Sequence, residues 1–186
     1  MANSSTVSGL IAEATSREVN LCPVIIPETN PGHYISFKHA LNLRFADEDT
    51  GDWHFQSAFF NRADYPSRNR SIPLAGEGET VNTVPSLGTR GVRDMAEVLI
   101  QEQIPILPNQ SVYVANHYRA IADLAMMDLQ EGKMPICVTN QAINSWLDTP
   151  EQIEHLKQYY LEPIANQLSG QALRVFKEWI LTVSFV

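Results

Sequence analysis

The chain has 186 residues, 44% of them hydrophobic and 18% charged, and a formal net charge of −8. That length and balance suit a single folded domain with a real core and exclude global disorder. The acidic excess argues against broad nucleic-acid or membrane-surface binding, and two cysteines, Cys22 and Cys137, are too few for a disulfide scaffold.

The opening Met-Ala-Asn-Ser-Ser-Thr has no basic segment followed by an apolar core, and no apolar run approaches the length of a membrane span. A cytoplasmic location is expected. Val7, Leu10, Ile11 and Ala14 stand at helical spacing after a Ser/Thr start, predicting a short first helix within residues 5–19. Residues 21–27 are apolar but carry Pro23 and Pro27, which restricts them to an extended or edge segment.

The organising stretch follows. Ile35, Phe37, His39, Leu41, Leu43 and Phe45 alternate with Ser36, Lys38, Ala40, Asn42 and Arg44, the period-two pattern of a half-buried strand. A second run over residues 53–59 carries the same phase, and an acidic stretch ending in Gly51 separates the two. Pairing Phe45 with Trp53 sets Leu43 opposite Phe55, Leu41 opposite Ser57 and His39 opposite Phe59, which collects the apolar residues on one face. This reading predicts an antiparallel β-hairpin with a turn near residues 47–51.

Residues 61–88 show no periodic element and are rich in proline, glycine and serine, so a long irregular loop is expected, with at most a short strand at 81–84. Val92, Met95, Ala96, Leu99 and Ile100 then follow helical spacing. A short strand is expected at 112–114. Tyr118, Ile121, Ala122, Ala125 and Leu129 predict a helix ending near Gly132, and 134–138 a buried strand. Thr149, Pro150 and Gln152 form a capping-box start for a helix that Pro163 should kink. Phe176 and Trp179 mark a last amphipathic helix. The sum is one α+β domain over 1–186: an antiparallel β-hairpin-centred sheet packed by about five helices, with a helix-rich C-terminal half.

Chemistry has few footholds. Arg62, Arg68, Arg70, Arg90 and Arg93 are five of the thirteen Lys and Arg residues and fall within 32 positions. Arginine forks bind phosphate or carboxylate, so these five are candidate anion-binding residues; loop-to-body ion pairs are the simpler account. His39 and His117 are candidate general bases, with Asp123 a third candidate catalytic residue near His117. Arg119 and Asp123, four apart, read as a surface pair. No H-x-x-x-H, H-E-x-x-H or G-x-S-x-G motif occurs, no metal site is expected, and no cofactor is indicated.

The leading expectation is an intracellular binding or regulatory protein that engages a protein partner, or a second copy of itself, through the 61–88 loop and adjoining aromatic residues. The alternative is an enzyme or sensor for a phosphorylated small molecule or nucleotide, using the arginine-rich loop and a histidine base.

Overall fold

A computed structural model describes residues 26–45, 47, 48, 50, 60 and 72–186. The predicted first helix, the run over 53–59, and Arg62, Arg68 and Arg70 lie outside the described residues. Four short strands form one sheet: β1 (His33–Ile35), β2 (Leu74–Gly76), β3 (Val92–Asp94) and β4 (Tyr113–Ala115), in the order β2-β1-β4-β3. The outer pairings are antiparallel, and the central β1–β4 pairing is parallel, with Ile35 beside Val114. The fold is α+β, but the sheet is mixed rather than built on an antiparallel hairpin.

The expected strand over residues 35–45 breaks at Ser36. Helix α1 (Phe37–Leu41) follows at once and buries Ala40 and Leu41. Phe37 and Leu41 are four apart, a spacing that satisfies a helical ridge and a period-two count equally well, and this is why the alternation misleads. Leu43 and Phe45 are buried all the same. Phe45 pairs with Thr50 across a turn containing Asp47 and Glu48, and the Trp53 expected opposite it lies outside the described residues. The turn is where the acidic stretch predicted it.

The described part of the long loop is also more ordered than its composition suggests. It contains β2, a turn closed by the Gly76 amide on the Val81 carbonyl, and helix α2 (Val84–Leu87). Gly76 is indispensable here: its φ is +108°, and a Cβ would stand 2.0 Å from the Gly32 carbonyl oxygen.

The helix expected from Val92 starts later. Residues 92–94 form β3 against Val114 and its neighbours, and α3 (Ala96–Gln101) begins after Met95. Asp94 makes the switch: its Oδ1 accepts from the Ala96 amide at 3.0 Å and the Val112 amide at 2.9 Å. Cross-strand pairing outweighed the apolar spacing.

Helix α4 (His117–Leu129) is the centre of the molecule. Every residue from His117 to Met126 is buried, and the apolar positions predicted for it lie in the core. The buried strand expected at 134–138 does not form; Val138 is buried, whereas Ile136 is 75% exposed. Helix α5 (Asn140–Asn144) precedes α6 (Pro150–Leu156), which has the predicted capping box between Thr149 and Gln152.

Approaching Pro163, the chain widens into a π-helical turn (Lys157–Leu161) before α7 (Glu162–Ile164). Proline cannot donate to the Tyr159 carbonyl four residues back. Arg90 donates to it instead, Nη1 to O at 2.6 Å. Helix α8 (Gly170–Ile180) closes the fold by burying Val175, Phe176 and Trp179. Among the described residues the helical segments outnumber the five expected, because α1 and α2 stand where a strand and a loop were expected and the interval from 150 to 180 is cut into short pieces. Among the described residues, no helix is long and apolar enough to cross a membrane.

Candidate functional site

The most concentrated chemistry is a polar knot buried beneath the sheet. Arg119 and Asp123 face one another at 3.6 Å on α4, and both side chains are completely buried. The expectation of a surface pair is therefore wrong. Asp123 accepts from Ser36 Oγ at 2.7 Å, from Thr83 Oγ1, and from the Tyr34 hydroxyl at 3.4 Å. Arg119 Nε donates to the Tyr34 hydroxyl at 2.8 Å, and Nη1 to the carbonyls of Gly88 (3.1 Å) and Arg90 (3.0 Å). The guanidinium also lies 5.0 Å from the centre of the Tyr34 ring.

Burial pushes the Asp123 carboxyl and the Tyr34 phenol up; Arg119 and the neighbouring hydroxyls pull both down. One ion pair thus ties β1, the entry to α1, the segment before α2 and the Gly88–Arg90 turn to the central helix. Three hydroxyls and the arginine converge on Asp123, a completely enclosed carboxylate. That arrangement suits a structural clasp better than an acid or base that must reach substrate.

His117, the first residue of α4, is also enclosed. Its Nε2 donates to the Leu41 carbonyl at 2.9 Å, and its ring meets Phe45 edge-on at 5.7 Å. Burial lowers its pKa to about 4, holding it neutral. It pins α1 to α4 as an uncharged imidazole. His39 lies apart on α1, half-buried, with its ring 5.7 Å from that of Phe60 in an edge-on contact. His39, His117 and Asp123 belong to separate contacts rather than one catalytic constellation.

Of the two described arginines in the cluster, Arg93 is neutralised at home by Asp47 and Glu48. Glu48 also accepts from Asn116 Nδ2 at 2.8 and 3.0 Å, and Asn116 Oδ1 caps α4 by accepting from the Arg119 amide. Arg93, on β3 rather than in the 61–88 loop, thus holds the turn that follows Phe45. Arg90 is exposed and commits one donor, Nη1, to the Tyr159 carbonyl.

Among the described residues two open surfaces stand out. One is a groove of about 460 Å³, mostly apolar, walled by Phe37, Ile72, Leu74, Val81 and Met127 with Pro27 and Pro73 beside them. Glu79 and Thr80 form its polar rim. Phe37 holds a φ of +59°, a left-handed conformation that strains a bulky residue. The other surface is an aromatic ledge on the π-helical turn. His155 and Tyr159 are exposed with ring centres 4.7 Å apart, and Tyr118 and Tyr160 lie beneath them.

Tyr34, Ser36 and Thr83 were not singled out from sequence, and Arg119 only as a surface partner of Asp123. The available signal was the apolar character of α4 all round, since a helix without a polar face carries its charged pair inside. Compared with known protein families, curated proteins and solved structures, the chain matches none.

Proposed function

We propose that the protein is a cytoplasmic, non-enzymatic binding protein whose groove takes an apolar segment of a protein partner bearing a basic residue. The observation that carries this reading is the groove's construction. Six of its nine lining residues (Ile72, Pro73, Leu74, Glu79, Thr80 and Val81) come from the 61–88 segment, and Phe37 keeps a strained backbone while forming part of the wall. Strain of this kind persists only where surrounding structure enforces it, and it concentrates at binding surfaces. The volume falls in the range of ordinary ligand pockets.

The rim sets the partner's charge. Glu77 and Glu79 are exposed on the turn beside the groove, Glu79 with one oxygen on His33 Nε2 at 2.9 Å, and in a chain of net charge −8 they favour a cationic group next to the apolar anchor. A cytoplasmic setting also fits the free thiol of Cys137.

Panning a phage-displayed random peptide library on the whole protein tests the reading. Enriched peptides should pair large apolar residues with Lys or Arg. Met127→Asp should weaken their binding roughly tenfold or more by placing a charge against the apolar anchor. Met127 is 37% exposed, so the variant should keep the wild-type circular dichroism. Failure to enrich any peptide, or peptides indifferent to Met127→Asp, would overturn the proposal. Light scattering on the same variant shows whether the occupant is a second copy, the outcome in which a wild-type dimer becomes monomeric.

A further inference from the structure

The ledge on the π-helical turn has a construction that the groove reading does not use. π-turns widen the helix at a cost in hydrogen-bond geometry and recur at functional sites. This one is braced from outside. Arg90 holds the Tyr159 carbonyl, and the Tyr160 hydroxyl accepts from Asn116 Nδ2 at 3.3 Å. Gly91 lets the neighbouring chain approach: its φ is +72°, and a Cβ would lie 2.5 Å from Asn116 Oδ1 and 3.0 Å from the Tyr160 ring.

The bracing fixes a stack of rings whose outer members remain in water. Tyr118 and Tyr160 are nearly parallel at 5.4 Å and buried, while Tyr159 keeps 43% of its surface exposed and meets one described ring, that of His155. An exposed tyrosine held by a rigid base offers a face for another planar ring at little entropic cost. The adjacent charge is Arg90, whose remaining donors have no acceptor among the described residues. Asp47 and Glu48 are occupied by Arg93, and Glu154 by Lys157.

We infer that the ledge of His155, Tyr159 and Arg90 binds a planar aromatic ring carrying one anionic group, the chemistry of a nucleoside monophosphate. The ring stacks on Tyr159, and the phosphate takes the open donors of Arg90. A polyanionic strand is disfavoured, because exposed Glu151 and Glu162 flank the ledge on the same run of helix.

Calorimetric titration with AMP, UMP, adenosine and inorganic phosphate tests this. Both nucleotides should bind, since every base has a π-face, and both should bind more tightly than adenosine or phosphate alone. Tyr159→Ala should weaken AMP roughly tenfold or more, and Tyr159→Phe should restore most of the affinity. The tyrosine holds Arg90 through its backbone carbonyl, so Tyr159→Ala leaves that brace in place. Absence of AMP and UMP binding at millimolar concentration would overturn the inference, as would AMP affinity unchanged by Tyr159→Ala. Adenosine binding as tightly as AMP would remove the phosphate contact and overturn it equally. The groove reading is untouched by any of these results, because no residue is shared.

Discussion

The knot around Arg119 and the ledge around Arg90 use the same side chain to opposite ends. Arg119 is enclosed and its charge is answered within the protein by Asp123, two carbonyls and Tyr34. Arg90 is exposed, gives one donor to a backbone carbonyl and has no other acceptor among the described residues. The two are joined through the Gly88–Arg90 turn, whose carbonyls face Arg119 while the Arg90 side chain reaches outward. A buried charge held by its counterion organises a fold, even with Arg119 Nη2 left without a hydrogen-bond partner, whereas a braced but open one is free to meet a ligand. The histidines divide in the same way, His117 enclosed and neutral, His155 exposed on an aromatic stack.

The comparison breaks most sharply at Asp123. Asp123→Asn leaves the Arg119 charge buried without its counterion, and truncating one partner of such a pair costs about 3–5 kcal/mol. Urea unfolding should show that loss, while Arg119→Met combined with Asp123→Leu should recover most of it. A loss near zero for Asp123→Asn would mean that the pair is not the clasp its geometry describes.

His117 sharpens the same contrast through pH. Its folded pKa, about 4, lies below the ordinary 6.5, so the unfolded chain binds the extra proton first as the solution is acidified. Stability from this group is fully present above pH 6.5 and is lost as pH falls towards 4, amounting to about 3 kcal/mol across that window. Asp123 opposes it: burial raises its pKa, so its protonation favours the folded state as pH falls. The lowered Asp47 carboxyl, held down by its hydrogen bond to Arg93, acts in the same sense as His117 but at lower pH. Comparing unfolding free energies of wild type and His117→Gln from pH 7 to 4.5 isolates the histidine. The variant should show the shallower decline, and parallel curves would refute the assignment.

These features were unevenly legible in the sequence. The capping box at Thr149, the buried stripe of α4 and the closing helix around Trp179 could be read because local spacing and final packing agree there. The stretch 35–45 misled because Phe37 and Leu41 satisfy two periods at once, and the break at Ser36 depends on Asp123, 87 residues away. Residues 92–94 went to the sheet for a similar reason, a pairing with β4 that no local window contains. The knot stayed hidden because Arg119 and Asp123 have the spacing of an ordinary surface pair. Only the apolar residues around the whole of α4 betray that no surface is there.

The smallest effect concerns the strained wall of the groove. Phe37 is the first residue of α1, where alanine ordinarily outranks glycine by about 1 kcal/mol in helix propensity. Its φ of +59° reverses that order, since a left-handed backbone costs a residue with a Cβ roughly 1–2 kcal/mol and glycine almost nothing. Phe37→Gly should therefore be more stable than Phe37→Ala by about 1 kcal/mol in urea unfolding, although both lose the same ring contacts. Peptides selected on the wild-type groove should bind both variants equally weakly, because the ring, not the backbone angle, forms the wall. If alanine proves the more stable, Phe37 relaxes to an ordinary helical start once the ring is gone. The strain then belongs to the packing of the ring itself rather than to the turn that Ser36 and Asp123 impose.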